Sequence, residues 1–344
     1  MVMALTLTAA ASNARAEAPR EVTFRTQTMG TWASLTLVTA DSASVESLAY
    51  DALVTLHFVD SLMSNWTETS EVARINRVAS QRTTQVHAQV VDVLTFALEV
   101  SWQSDGAFDI TVEPLVRLWG FLGGTPRVPS QDEIDAVLFD IGTDKLSYDD
   151  DQGTMRFLND RVSIDLGGIA KGYGVDRVAA LLRASGISNA LVDLSGNMVA
   201  LGNAATHEGW TVGVRDPSGE LPYLVRITLH NQAVATSADY EQFVDANGQR
   251  YGHILDPRSG WSARGLSSVT VVSELAMAAD AWATALFVLG PDAARDFVGN
   301  REDLAAVLIE PRDDGTTIIW VERSLQPRCV AHPDLGDTYR VRFF

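Results

Sequence analysis

The sequence predicts an α+β fold, with mixed and antiparallel sheets packed against helices in two closely associated lobes. Three observations carry this. Segments with apolar residues at helical spacing fill the first half and recur near residue 280, whereas short alternating strands separated by turn residues crowd the second half. The 344 residues are 46% hydrophobic and 20% charged, the balance of a chain that buries a core.

The chain opens on MVMALTLTAAASNARA, an apolar stretch ending in Ala14-Arg15-Ala16. Small-x-small is the pattern a signal peptidase cleaves, so residues 1–16 are expected to be an export signal. EVTFRTQTMGTWASLTLV reads as two strands around a turn at Gly30. Over residues 42–63, Val45, Leu48, Ala52, Leu53, Leu56, Val59 and Leu62 share one helical face. A second helix is expected over 86–102, with Val90, Val93, Leu94, Ala97 and Leu98 inward and Asp105-Gly106 as its stop. A third starts at Ser130, which has capping-box spacing to Glu133. Asp149-Asp150-Asp151 marks a solvated turn. RVSIDL is expected to be a strand running through GGIAKGYG into the helix VDRVAALLRASG, closed by Gly186. ALVDL, TVGVR, LVRITL, AVATS and SVTVV predict an antiparallel sheet. A last strong helix over 274–289 has Ser273 as its cap and Gly290-Pro291 as its end, and LAAVLI and TIIWV complete the core. There is no internal repeat or low-complexity linker, so residues 17–344 are read as one domain.

Charge and cysteine content narrow the function. The net charge is −18, and Lys145 and Lys171 are the only lysines. An acidic, lysine-poor surface argues against nucleic acid and anionic membranes as partners. Cys329 stands alone, so neither an internal disulfide nor a multi-cysteine metal site forms. No internal apolar run is long enough to insert in a membrane. The histidines His57, His87, His207, His230, His253 and His332 lack zinc spacing.

Four groups of residues stand out. Asp280 and Thr284 lie one turn apart on a helix that is apolar nearly all round. A buried carboxylate with a hydroxyl beside it is a hard-oxygen set suited to Mg²⁺; equally, Asp280 pairs with an arginine or caps a neighbour while Thr284 bonds its own helix. In Gly167-Gly168-Ile169-Ala170-Lys171-Gly172, one of two lysines sits among glycines that let backbone approach an anion; the alternative is a tight connection with a solvated lysine. His253, in YGHILDPRSG, is either a proton acceptor or phosphate contact, or a satisfied histidine in a turn. Ala107, Phe108 and Asp109, with Trp66 and Trp119-Gly120-Phe121, would suit a flat heteroaromatic ring and suit a core equally well.

In chain order, TMGT, LMSNW, DGAFDITVEPLVRLWGF, DLGGIAKGY, HILDPRSG and ADAWATALFVLG resemble the ApbE-like FAD:protein FMN transferases, from about Thr28 to Gly290. The resemblance implies the ApbE-like fold and an exported, soluble, periplasmic enzyme. Such an enzyme uses Mg²⁺ to split FAD and attaches FMN to a threonine or serine of an acceptor flavoprotein, releasing AMP. It implies Asp280, Thr284 and a glycine-loop carbonyl, that of Gly168, as metal ligands. Met29, Trp66, Ala107, Phe108, Asp109, Lys171, His253 and Ile254 would line the FAD site, and His253 with Asp280 would carry catalysis. Expected acceptors are Rnf- or Nqr-type redox subunits or a NosR-like regulator. A metal-dependent FAD pyrophosphatase and a non-catalytic FAD-binding protein are the alternatives. Two departures from the family pattern stand out: Ser195-Gly196-Asn197 where two glycines are common, and Ser237-Ala238-Asp239 where Ser-Gly is common. The chain contains no acceptor motif of its own.

Overall fold

The computed structural model describes residues 18–344 other than 241 and 247; the expected export signal lies outside the described residues. The frame is a nine-stranded sheet whose spatial order follows chain order: Arg20–Thr28, Thr31–Thr39, Ala190–Leu194, Asn197–Leu201, Gln232–Ala238, Ser268–Ser273, Ala305–Pro311, Thr317–Val321 and Tyr339–Phe343. Every neighbouring pair is antiparallel except the last, which is parallel. The helices enter as long excursions between strands. They are α1 (Ser42–Met63), α2 (Glu71–Val78), α3 (Ala88–Gln103), α4 (Glu113–Leu118), α5 (Gln131–Leu138), α6 (Ala170–Ala184), α7 (Ala276–Leu289) and α8 (Pro291–Gly299).

The period-2 alternation of the strands gives the sheet two apolar faces. One receives the helices: Leu35, Leu37, Val192 and Val199 pack on Ala52, Leu56, Val178 and Leu182 of α1 and α6. Farther along this face, Ala235, Val269 and Val271 meet Ala279, Ala283 and Leu286 of α7. The other face, including Val234, Val272, Val307 and Ile319, lies under Trp210, Val212, Ile227 and Leu229 of a three-stranded sheet (Trp210–Val214, Val225–Leu229, Cys329–Ala331). Covered on both sides, Ser268–Ser273 is buried at every residue.

The first hairpin turns at Met29 (φ 49°) and Gly30 (φ 71°), the two-residue turn that matches strand twist. Helix α1 has the expected limits, and Ser130 and Glu133 form a reciprocal capping box. The connection Asp105 (φ 52°) and Gly106 (φ 72°) follows α3. Three expectations are corrected. Residues 162–166 form no strand ladder; the segment is extended, and side chains meet its backbone groups. Helix α6 begins at Ala170, within the glycine-rich stretch, so Lys171 lies in its first turn. Helix α7 begins at Ala276 with Leu275 as its Ncap, not under a Ser273 cap. The short helices α2, α4 and α8 and the strand Tyr339–Phe343 were not expected; α2 is eight residues long, below what periodicity detects reliably.

Candidate active site

Helix α7 is apolar around most of its circumference and therefore buried. Asp280 is only 5% exposed. It meets α6 closely: the Gly172 N–H donates to Asp280 Oδ2 at 2.9 Å. A Cβ at Gly172 would lie 2.2 Å from the Ala276 carbonyl oxygen and 2.8 Å from Asp280 Cβ, so only glycine allows this crossing. One turn along α6, the Asp176 carboxylate accepts from the N–H groups of Ala276 and Met277, both at 2.8 Å. This cap from a neighbouring helix replaces the one expected from Ser273. Burial pushes the Asp176 carboxyl up to about 6, against the two N–H bonds, and the charge of Asp280 adds to the rise.

Thr284 lies one turn beyond Asp280. Its hydroxyl is 3.1 Å from Ser237 Oγ and donates at 3.4 Å to the Asp280 carbonyl. Gly168 closes on the same place: a Cβ there would sit 3.3 Å from Thr284 Oγ1 and 3.1 Å from Phe108 Cε2. Gly168, Thr284, Ser237 and Phe108 are thus drawn together from four distant stretches, with Asp280 one turn along the same helix face. Among the described residues no three His, Cys, Asp or Glu side chains gather as a metal cage. A carboxylate, a hydroxyl and a carbonyl fit the sparse protein coordination of Mg²⁺, which completes its shell with water and substrate phosphates.

The segment leading into Gly168 is held by amide side chains. Asn76 of α2 accepts the Ile164 N–H at 2.9 Å through Oδ1 and donates to the Ile164 carbonyl at 3.0 Å through Nδ2; Asn65 Nδ2 donates to the same carbonyl at 3.0 Å. The Asp165 N–H donates to the Ile110 carbonyl at 2.7 Å, and Asp165 Oδ1 accepts from Gly167 N–H at 2.7 Å. Burial raises the Asp165 carboxyl above the ordinary carboxylate range, opposed by the Gly167 N–H and reinforced by Glu113.

The remaining expected residues are distributed as follows. Met29 is half-buried against both helical clusters, and its N–H donates to Asp60 Oδ2 at 3.0 Å. Trp66, just beyond α1, is 68% exposed. Ala107, Phe108 and Ile254 are buried in one cluster. Asp109 is buried, and its Oδ1 accepts from the N–H and hydroxyl of Thr111 at 2.8 and 2.6 Å, capping a short 3₁₀ turn. Burial raises its carboxyl, while those bonds lower it. Lys171 is half-buried, and its ammonium forms no hydrogen bond or ion pair among the described residues. His253 Nδ1 is 3.2 Å from the Gln242 carbonyl, and its ring stands edge-on to Phe121 at 6.3 Å.

Sequence reasoning missed Asp176, Asn76 and the roles of Asn65 and Gly172, whose partners lie far along the chain. Ser237 had a signal: strand alternation puts it on the face of Ala233 and Ala235, under α7. At the other departure from the family pattern, Ser195 adopts φ 53° where glycine is unstrained, and buried Asn197 has no partner for Oδ1 among the described residues. A cavity of about 620 Å³ adjoins Ala278 and Trp282 of α7, away from all the expected site residues.

The architecture is that of the flavin transferases, enzymes of the transferase class. It is similar to the flavin transferase ApbE from Vibrio cholerae, with a TM-score of 0.80, 30% identity, and coverage of 90% of this chain and 99% of that one. The ApbE protein of Thermotoga maritima gives 0.78 at 33% identity, covering 87% and 96%. An FAD:protein FMN transferase of Klebsiella pneumoniae is 32% identical over 295 residues, 84% of either protein. The ApbE family model matches residues 29–308, and the chain belongs to the ApbE family.

Proposed function

We propose that the protein transfers FMN from FAD to a threonine or serine hydroxyl of an acceptor flavoprotein, with Mg²⁺, releasing AMP. The observation that carries this reading is the close approach of Gly168 to Thr284, with Asp280 one helical turn away on the same face of α7, in a chain whose relatives are named FAD:protein FMN transferase. Bound there, Mg²⁺ supplies Lewis-acid stabilisation of the pyrophosphate under attack. Asp280 and Thr284 hold the cation, with the Gly168 carbonyl as third ligand. Lys171 in the first turn of α6 neutralises phosphate oxygens, helped by the positive end of the helix. Trp66 and Met29 bracket a flavin or adenine ring, and Ala107, Phe108 and Ile254 form an apolar wall. Asp109 orders that wall through its cap.

His253 receives the proton of the incoming hydroxyl. A carbonyl only accepts, so Nδ1 facing Gln242 carries the hydrogen and Nε2 is the basic nitrogen. The acceptor is an exported or membrane-anchored flavoprotein of the Rnf, Nqr or NosR-like kind, a reading supported by the apolar first residues and the family resemblance. It places the enzyme in the periplasm. The test mixes protein, FAD, Mg²⁺ and such an acceptor domain and weighs the acceptor. A mass gain of one FMN, abolished by chelation, is expected. Free FMN and AMP with unmodified acceptor would mark a pyrophosphatase, and unchanged bound FAD a binding protein.

A further inference from the structure

We propose that Asn76 is a positioning residue for the cation, acting through the Ile164 backbone on Gly168; this rests on the metal reading above. The segment 162–168 has no strand partner, yet Gly168 must stay against Thr284. Among the described residues, its one two-sided anchor is the Asn76 amide, which takes both polar groups of Ile164 as a neighbouring strand would. Asn65 duplicates only the donor half, and is itself 3.3 Å from Asn76 Nδ2 through Oδ1. Between this anchor and Gly168 the chain is pinned by the bonds from Asp165 N–H to Ile110 and from Gly167 N–H to the Asp165 side chain. Beyond Gly168 it is fixed by the start of α6. Removing the Asn76 amide leaves the Ile164 N–H without its acceptor and frees the segment to shift, although Asn76 itself bonds none of the residues expected to line the FAD site.

The test uses the full chain and Mn²⁺ as probe, with free Mn²⁺ read by electron paramagnetic resonance and FAD affinity read separately by fluorescence under chelation. Asn76→Ala is expected to weaken Mn²⁺ binding by roughly 10–100-fold, the range for residues that orient a ligand, with FAD affinity under chelation unchanged. Asn65→Ala is expected to weaken it less. A folded Asn76→Ala that binds Mn²⁺ as tightly as the parent overturns the proposal, as does a loss of FAD and Mn²⁺ affinity in equal measure, which marks a general structural role. Should Asn76→Ala fail to fold, Asn65→Ala decides: undiminished Mn²⁺ affinity overturns the proposal. Asp280→Ala separates the two levels. If it too retains Mn²⁺, the metal reading itself fails; if it loses Mn²⁺ while Asn76→Ala keeps it, only the positioning claim fails.

Discussion

Helix α7 and the segment 162–168 bring Thr284 and Gly168 together, and they do so by opposite means. The helix carries its own hydrogen bonds and buries ten of its residues, among them Trp282, Leu286 and Phe287; it would be a helix in almost any apolar setting. The segment satisfies nothing internally over its first residues. Besides a local bond to Asn159 and one from Ser163 to Glu113, it takes its bonds from Asn65, Asn76 and Ile110, Asn65 and Asn76 lying 99 and 88 positions away. One arm of the site is self-supporting and the other is borrowed. Damage to the first should remove chemistry or split the core, and damage to the second should leave a folded protein with a misplaced ligand.

The sharpest break is in the helix. Asp280→Ala removes the one carboxylate of the expected metal set, and transfer of FMN to the acceptor should fall by at least about 10²–10³-fold, the scale of losing one key electrostatic group. Acceptor mass at fixed time reads this out. Gly172→Ala attacks the same helix through packing: its Cβ would meet backbone at 2.2 Å, and α6 and α7 must move apart. A loss of about 1–3 kcal/mol in urea unfolding is expected; unchanged stability would show that the crossing yields freely. Gly168→Ala is the matched probe in the borrowed arm. Its nearest neighbours are side chains at 3.1 and 3.3 Å, so metal affinity should suffer more than stability, reversing the order seen at Gly172.

These two arms were unequally legible. Helix α7 was visible from its apolar run, and the pairing of Asp280 with Thr284 follows from helical spacing alone. In RVSIDL the alternation is genuine, since Val162, Ile164 and Leu166 are all buried, but alternation reports burial and says nothing about who meets the backbone. That answer lay in Asn76, on the unpredicted helix α2, a partnership between stretches with no periodic signal to join them. Lys171 was noticed through composition, but its place in a helix was masked by four nearby glycines, which normally mark loops. Ser237 was noticed only as a departure from the family pattern, and its hydroxyl bond to Thr284 needed the fold.

Asp176, the clamp between α6 and α7, gives a pH signature. Its folded carboxyl titrates near 6 against an ordinary 3.8, so the folded state binds the proton more readily and this group favours folding increasingly as pH falls through that window. Above 6 the buried charge costs up to about 3 kcal/mol, at 1.36 kcal/mol per pH unit. Asp176→Asn lacks the titration. The stability of the parent relative to the variant should therefore rise by about 1–3 kcal/mol between pH 7 and pH 4 in denaturant unfolding, and a flat difference would place the charge in a more polar setting.

The smallest effect tests the same clamp from the other side. Ser273 stands where a helix cap is expected, and a serine that caps contributes about 1 kcal/mol. In the fold, the first N–H groups of α7 go to Asp176, and the helix starts three residues after Ser273. Ser273→Ala should therefore cost clearly less than the roughly 1 kcal/mol that a capping serine contributes. A loss near 1 kcal/mol would return the cap to α7's own sequence and would make this helix as self-supporting at its start as it is along its length.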